Sequence, residues 1–354
     1  MLVAGCGHSS STSQGPATSS TPVPSVATSS TRAASATSQA ARDLPDPHTL
    51  RGLTEVPELP DPKPVEGSSA QKLPVTVTDV EGNKVTIKST SRILALDLYG
   101  TLSRTLIGLG LGDKIVGRTV SSTEKQLHDR PVVTENGHVL NVEAVAGLKP
   151  SVIIADRSVG PKEALDQLRK SGIPVVLVDP HRSVGSTPQL IRTIADAVGK
   201  PDAGEALVKR TQEQIDQAKK QIAAWKPAKP MRVAFLYVRG NAGVFFILGS
   251  ENGASELIQG VGADDVASDK GITTLVPANA ESLVSINPDA IFVMRDGLAS
   301  TGGMKGLLAR AGVANTTAGR KQRVISIPDG ISLSFGPQTG EVLTAVAKAL
   351  YGVK

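Results

Sequence analysis

Three sets of side chains in this sequence have the types and spacing to do chemistry. The first is Tyr237 with Arg239, in the run Val233-Ala-Phe235-Leu-Tyr237-Val-Arg239. Alternate residues of a strand share a face, so phenol and guanidinium stand side by side near the strand's carboxyl end, where open α/β sheets bind ligands. A guanidinium favours the charged form of a neighbouring phenol, and a phenolate oxygen ligates ferric iron. Taken singly, Tyr237 reads as a half-buried strand-end tyrosine and Arg239 as a surface charge. The second is His138, in the turn Asn136-Gly137-His138 ahead of a helical segment. Tyrosine and neutral histidine are both established haem-iron ligands. A lone loop histidine is, however, ordinarily solvated. His8 and His48 fall in a low-complexity region and His128 in a polar loop, while His181 follows a strand end and rivals His138. The third is the pair Glu143 and Glu281, each two residues after an asparagine. Asn141 and Asn279 fit helix N-caps, and a carboxylate in the first turn is favoured by the helix dipole.

Composition limits what else these residues could serve. The chain has 354 residues, one cysteine, nine aromatics and a net charge of +5. One cysteine excludes an intramolecular disulfide framework and any cysteine-based zinc or iron–sulfur site. Lysines and arginines are scattered, which argues against nucleic acid as a partner. No apolar run approaches the roughly 18 residues of a membrane span. Free-metal uptake would need a cluster of His, Asp and Glu, and only three histidines lie beyond the N-terminal region. Neither a phosphate-binding loop nor a Gly-x-Ser-x-Gly elbow is present, and Gly108-Leu-Gly110-Leu-Gly112 ends a helix where a dinucleotide fingerprint would open one. An enzyme is therefore the disfavoured alternative, and no catalytic residue is assigned.

The N-terminus reads as an attachment device. Val3-Ala4-Gly5-Cys6 places small residues before a cysteine, and residues 7–41 contain 17 Ser or Thr with no Leu, Ile or aromatic residue. Such a segment buries too little apolar surface to order itself. Six prolines between Pro45 and Pro64 then predict a stiffer extended spacer. We expect residues 1–6 to be the remnant of a signal peptide and residues 7–72 to be a disordered Ser/Thr/Pro-rich tether. The charged and apolar signal-peptide segments that should precede Cys6 are not among these residues, so the sequence is expected to start downstream of the true signal-peptide start.

The elements that must position the candidate residues follow. Val75–Asp79 and Lys84–Ile87 flank a Glu-Gly-Asn turn and predict a hairpin. Strands at 92–96, 115–117, 152–155 and 175–178 alternate with helices at 101–108, 141–146 and 161–171, the pattern of a covered parallel sheet. From Asp202 to Trp225, Leu207, Val208, Thr211, Ile215, Ala218 and Ile222 recur at helical spacing. The resulting helix of about 36 Å is long enough to join two lobes. A second α/β set follows, with strands at 233–238, 290–294 and 324–327 and helices at 253–259, 280–285, 304–311 and 339–351. It repeats the first: Asn141-Val-Glu143 through Pro150-Ser-Val-Ile-Ile matches Asn279-Ala-Glu281 through Pro288-Asp-Ala-Ile-Phe. Leu106-Ile107 with Asp113 and Ile115 likewise matches Leu257-Ile258 with Asp264 and Val266. The fold class predicted is α/β, two Rossmann-like lobes at 73–200 and 229–354 joined by a helical segment at 201–228.

A Pro-rich tether behind an acylatable cysteine, a hairpin, two α/β lobes and one linking helix resemble the helical-backbone class of ABC-transporter substrate-binding proteins, which includes cobalamin, siderophore and haem binders. The Asn-x-Glu…Pro motif in both lobes and Leu-Gly-Asp113-Lys-Ile-Val-Gly117 carry the resemblance over about residues 73–354, Ser151 departing from the usual Asp. One His on the first lobe and Tyr-x-Arg on the second resemble its haem-binding branch, the HmuT-type lipoproteins of actinobacteria. The resemblance implies that His138 and Tyr237 ligate haem iron from opposite faces in an interlobe cleft and that Arg239 supports the tyrosine. It implies further that Glu143 and Glu281 dock on an ABC permease with its ATPase, and that Cys6 carries a lipid at the outer face of the cytoplasmic membrane. Haem is then a transported ligand, received directly or from upstream haem-binding surface proteins. Tyr99 is a candidate cleft wall. Met294 could pack on the porphyrin, ligate weakly, or fill the core. Arg295 and Arg118 are candidates for the propionates. A ferric siderophore or cobalamin is the alternative ligand on the same fold.

Overall fold

A computed structural model of the chain describes residues 44–66, 71–240 and 243–354. Cys6 and the Ser/Thr tract lie outside the described residues. The first lobe holds a four-stranded parallel sheet in the order Ile115–Gly117, Ile93–Leu96, Val152–Ala155, Val175–Leu177. Its inner strands are buried along their whole length, as expected of a sheet covered on both faces. Ile93, Ala95, Val152 and Ile154 pack with the Thr101–Gly108 and Thr187–Ala197 helices. Leu94, Leu96, Ile153 and Ala155 pack on the opposite face with Val145, Leu165 and Leu168.

The second lobe repeats this order. Asp264–Asp265, Arg232–Arg239, Ala290–Met294 and Val324–Ile327 are neighbouring parallel strands. Ile93 pairs with Val152 in the first lobe as Val233 pairs with Ala290 in the second, the register the internal repeat requires. The repeat is interrupted by an antiparallel strand, Val244–Ile247, which pairs with the distal half of Arg232–Arg239 and sets Tyr237 opposite Phe246.

One helix, Pro201–Trp225, about 37 Å long, links the lobes. Its six predicted apolar-face residues are all buried. Ala203, Leu207 and Val208 belong to the first lobe's core, and Ala218 and Ile222 to the second's. Glycines allow its close contacts: a Cβ at Gly204 would meet that of Ala195 at 2.5 Å, and one at Gly340 would meet the Gln214 backbone at 2.4 Å.

The predicted tether is corrected over residues 44–66. Leu53–Glu55 is a parallel edge strand on Val324–Ile327, and Val56 is fully buried in the second core. Leu59 packs on that core, while Val65 is buried in the first. Between them Asp61 accepts hydrogen bonds from the amides of Lys125 and Gln126 at 2.8 and 2.9 Å. The segment therefore straps both lobes. Proline content suggested a free spacer, but prolines also lower the entropy an extended segment loses on docking, and Val56, Leu59 and Val65, each beside a proline, supply the contacts. Helices Thr187–Ala197 and Arg295–Ser300 were also not anticipated. Among the described residues no helix is long and apolar enough to cross a membrane.

Candidate functional site

The second lobe brings Tyr237, Arg239 and Met294 together. Tyr237 and Arg239 are half-buried near the end of the Arg232–Arg239 strand, and the guanidinium carbon lies 4.9 Å from the centre of the phenol ring. Arg239 donates from Nη2 to Asp329 Oδ1 at 2.6 Å and to Met294 Sδ at 3.4 Å, and from Nη1 to Val238 O at 3.2 Å. Asp329 also accepts from the Asp296 amide at 2.8 Å, and burial pushes its carboxyl above the usual range. A Cβ at Gly297 would fall 2.2 Å from Arg239 Nη1, so this glycine leaves the slot in which the guanidinium lies. Asp329 was missed in the sequence. It follows a different strand, and the available signal was Pro328-Asp329-Gly330 at that strand's carboxyl end.

The first lobe presents His138 differently. Thr134–Glu135 and Val139–Leu140 form a small antiparallel pair with Asn136 and Gly137 at positive φ between them. His138 is exposed. Its carbonyl accepts from the Gly160 amide at 2.9 Å, whereas its ring makes no hydrogen bond or ion pair among the described residues. It borders a cavity of about 510 Å³ with Glu81, Arg157, Ser158, Gly160 and Lys162. His181, the rival, is exposed and paired through Nδ1 with Asp179 at 2.8 Å.

The remaining candidates separate. Tyr99 packs on the second lobe's core, 5.7 Å below the Arg182 guanidinium. Arg182 is buried with Asp97 and Asp156, paired with Asp156 and 3.8 Å from Asp97. Burial, reinforced by the Asp156 charge, pushes the Asp97 carboxyl up to about 7. Arg295 does not stand free: it is bound to Glu58 at 2.6 Å and to the Val56 carbonyl, both in the strap. Arg118 is half-buried, with one long bond to Ser122 O at 3.4 Å. Glu143 and Glu281 are exposed at matched positions, one on each lobe. Asn141 and Asn279 cap their helices through 2.8 Å bonds from the amides of Ala144 and Ser282. A larger cavity of about 760 Å³, between the strap and the last helix, holds none of the predicted residues. Its buried Arg323 donates to the final carbonyls of that helix, Ala349 O and Leu350 O.

The sequence profile described as periplasmic binding protein matches residues 98–330, which span the linking helix and most of both lobes. The chain belongs to the periplasmic binding protein family. It is similar to the solved heme binding protein HmuT, at 49% identity and TM-score 0.86 over 88% of this chain and 100% of that one. It also resembles the periplasmic heme-binding protein RhuT of Roseiflexus sp. RS-1, at 32% identity and TM-score 0.70 over 75% and 99% of the two chains. Over 280 residues it is 27% identical to the uncharacterized ABC transporter substrate-binding lipoprotein YvrC of Bacillus subtilis, covering 78% of this chain and 86% of that protein. HmuT has also been solved with one histidine, one tyrosine and one arginine individually replaced by alanine. Its histidine and tyrosine are as far apart in sequence as His138 and Tyr237, and its arginine follows the tyrosine by two residues, as Arg239 follows Tyr237.

Proposed function

We propose that this protein is an extracytoplasmic haem receptor that holds ferric haem between its lobes, with His138 and Tyr237 as axial ligands, and hands it to an ABC permease and its ATPase. The observation that carries the reading is the strand-end phenol with a guanidinium fixed over its ring. An unengaged histidine on the other lobe, at the spacing seen in HmuT, supports it. The residues fit the cargo: a phenolate and a neutral imidazole suit ferric iron. Burial of porphyrin faces contributes about 25 cal/mol per Å². The receptor makes and breaks no bond in the porphyrin.

Delivery adds two assignments. Exposed Glu143 and Glu281 are the docking carboxylates for the permease, one on each lobe. Cys6 carries the lipid that keeps the receptor at the outer face of the cytoplasmic membrane, where two acyl chains anchor stably and one would be marginal. Upstream haem-binding surface proteins are candidate donors.

The test is a haemin titration followed by absorption. Wild-type protein should give a saturable Soret change, and the double variant His138→Ala, Tyr237→Ala should lose it. A Soret band indifferent to both substitutions overturns the ligation, and saturable binding of a corrinoid or ferric siderophore in place of haemin overturns the choice of ligand. Replacing Glu143 and Glu281 together by Lys should abolish uptake with haem affinity unchanged. Persisting uptake removes the docking role. Cys6→Ser, expressed behind a complete signal peptide, should move the protein from the membrane to the soluble fraction.

A further inference from the structure

We infer that Asp329 is a positioning residue for Tyr237, holding Arg239 against the phenol and thereby setting how firmly the tyrosine ligates iron. The inference rests on the axial role proposed for Tyr237. Arg239 is a long side chain, a third exposed, whose other two bonds are weak: a neighbouring carbonyl at 3.2 Å and a thioether sulfur at 3.4 Å. Its short, charge-assisted bond is to Asp329, at 2.6 Å. Bonds of that kind are roughly twice as strong as neutral ones. Asp329 is itself fixed, because its second oxygen accepts from the Asp296 amide and its side chain is only 15% exposed. The guanidinium lies 4.9 Å over the Tyr237 ring in the slot left by Gly297. Without the carboxylate, the guanidinium regains its rotamer freedom and swings toward solvent. Three strand ends thus meet at one guanidinium: Tyr237 and Arg239 itself from the first, Met294 from the second and Asp329 from beyond the third.

The deciding experiment is a double-variant cycle on the haem complex of the full chain, read by the haem dissociation rate and by the tyrosinate-to-iron charge-transfer band. Partners that orient a metal ligand are typically worth 10- to 100-fold in affinity, so Asp329→Ala should speed haem loss by about tenfold and weaken the band as Arg239→Ala does. Asp329→Asn, which keeps one acceptor for Arg239, should fall between wild type and Asp329→Ala. In an Arg239→Ala background, Asp329→Ala should change the rate by less than about twofold. Unchanged rate and band in Asp329→Ala, or effects that multiply in the double variant, overturn the inference. Tyr237→Ala separates the two claims. If it leaves the band intact, the axial reading has failed; if it removes the band while Asp329→Ala does not, only the positioning role has failed. Should Asp329→Ala not fold, as judged by thermal unfolding without haem, the same cycle run with Asp329→Asn decides.

Discussion

Leu96 pairs with Ala155 in the first lobe and Leu236 with Val293 in the second. The residues that follow these pairs occupy equivalent places at the carboxyl ends of matched central strands. In the first lobe they are Asp97 and Asp156, gathered around Arg182; in the second they are Tyr237 and Met294, gathered around Arg239. The first group is sealed, with side-chain exposures of 2% for Arg182 and zero for both aspartates, whereas Arg239 is 33% exposed. Arg182 and its neighbours also touch the other lobe, through Tyr99 on the second core and through the Val184 amide, which donates to Glu256 at 3.1 Å. One strand-end position has become a lock between lobes and its repeat supplies half of the proposed haem site. In the proposed complex the first lobe meets haem elsewhere, through the His138 loop.

That asymmetry can be broken most directly at the two proposed axial ligands. On the proposed reading, the second-lobe half is assembled before haem arrives, while the exposed His138 ring would lose rotamer freedom on binding. We expect Tyr237→Ala to weaken haemin binding by about 100-fold or more and His138→Ala by about tenfold, since even supporting residues reach 10- to 100-fold. Equal losses in parallel titrations would show that the two halves are equally organised.

The same contrast reverses for stability. Arg182→Ala leaves two buried carboxylates without their cation, a change that costs about 3–5 kcal/mol. Arg239→Ala opens a partly exposed pair worth about 1 kcal/mol or less. Chemical denaturation of the haem-free variants checks this, and similar values would dissolve the distinction between lock and site.

Much of this was legible in the sequence, for reasons that also explain what was not. Buried parallel strands are short continuous apolar runs, and the linking helix is an uninterrupted 3.6-residue pattern, so both announce themselves locally. Tyr237 and Arg239 share a face because of strand periodicity alone. Asp329 meets Arg239 only through strand order, which no local pattern encodes. The strap was hidden because composition reports proline and not the partners of Val56 and Val65. Arg295 looked available for an anion until the strap brought Glu58 to it.

The lock also makes the stability of the fold depend on pH. Asp97 titrates near 4 in an unfolded chain and near 7 in the fold, raised first by burial and then by the Asp156 charge. Between those values the folded state keeps a proton the unfolded chain has lost, so stability from this group is full below about pH 4 and declines as pH rises through 7. Thermal unfolding of wild type against Asp97→Asn, which is permanently neutral, should show the variant gaining about 5 °C relative to wild type between pH 5 and pH 8. A constant difference across that range would remove the proton from the lock.

The smallest expected effects fall where the lobes are most alike. Both Asn caps start short helices, Val142–Gly147 and Ala280–Ile286, in which one cap is a large share of the end stabilisation. Asn141→Ala and Asn279→Ala should each cost about 1 kcal/mol. The second should cost slightly more, because Ser282 completes a reciprocal capping box there. Glu143 and Glu281 add the favourable interaction of a first-turn carboxylate with the helix dipole, about 0.3–1 kcal/mol at an exposed site. Glu143→Gln and Glu281→Gln should therefore leave both lobes folded and haem affinity unchanged. If each variant loses less than about 1 kcal/mol and uptake still falls, the carboxylates are needed outside the fold, at the permease. If uptake falls only in step with unfolding, their role ends at the helix.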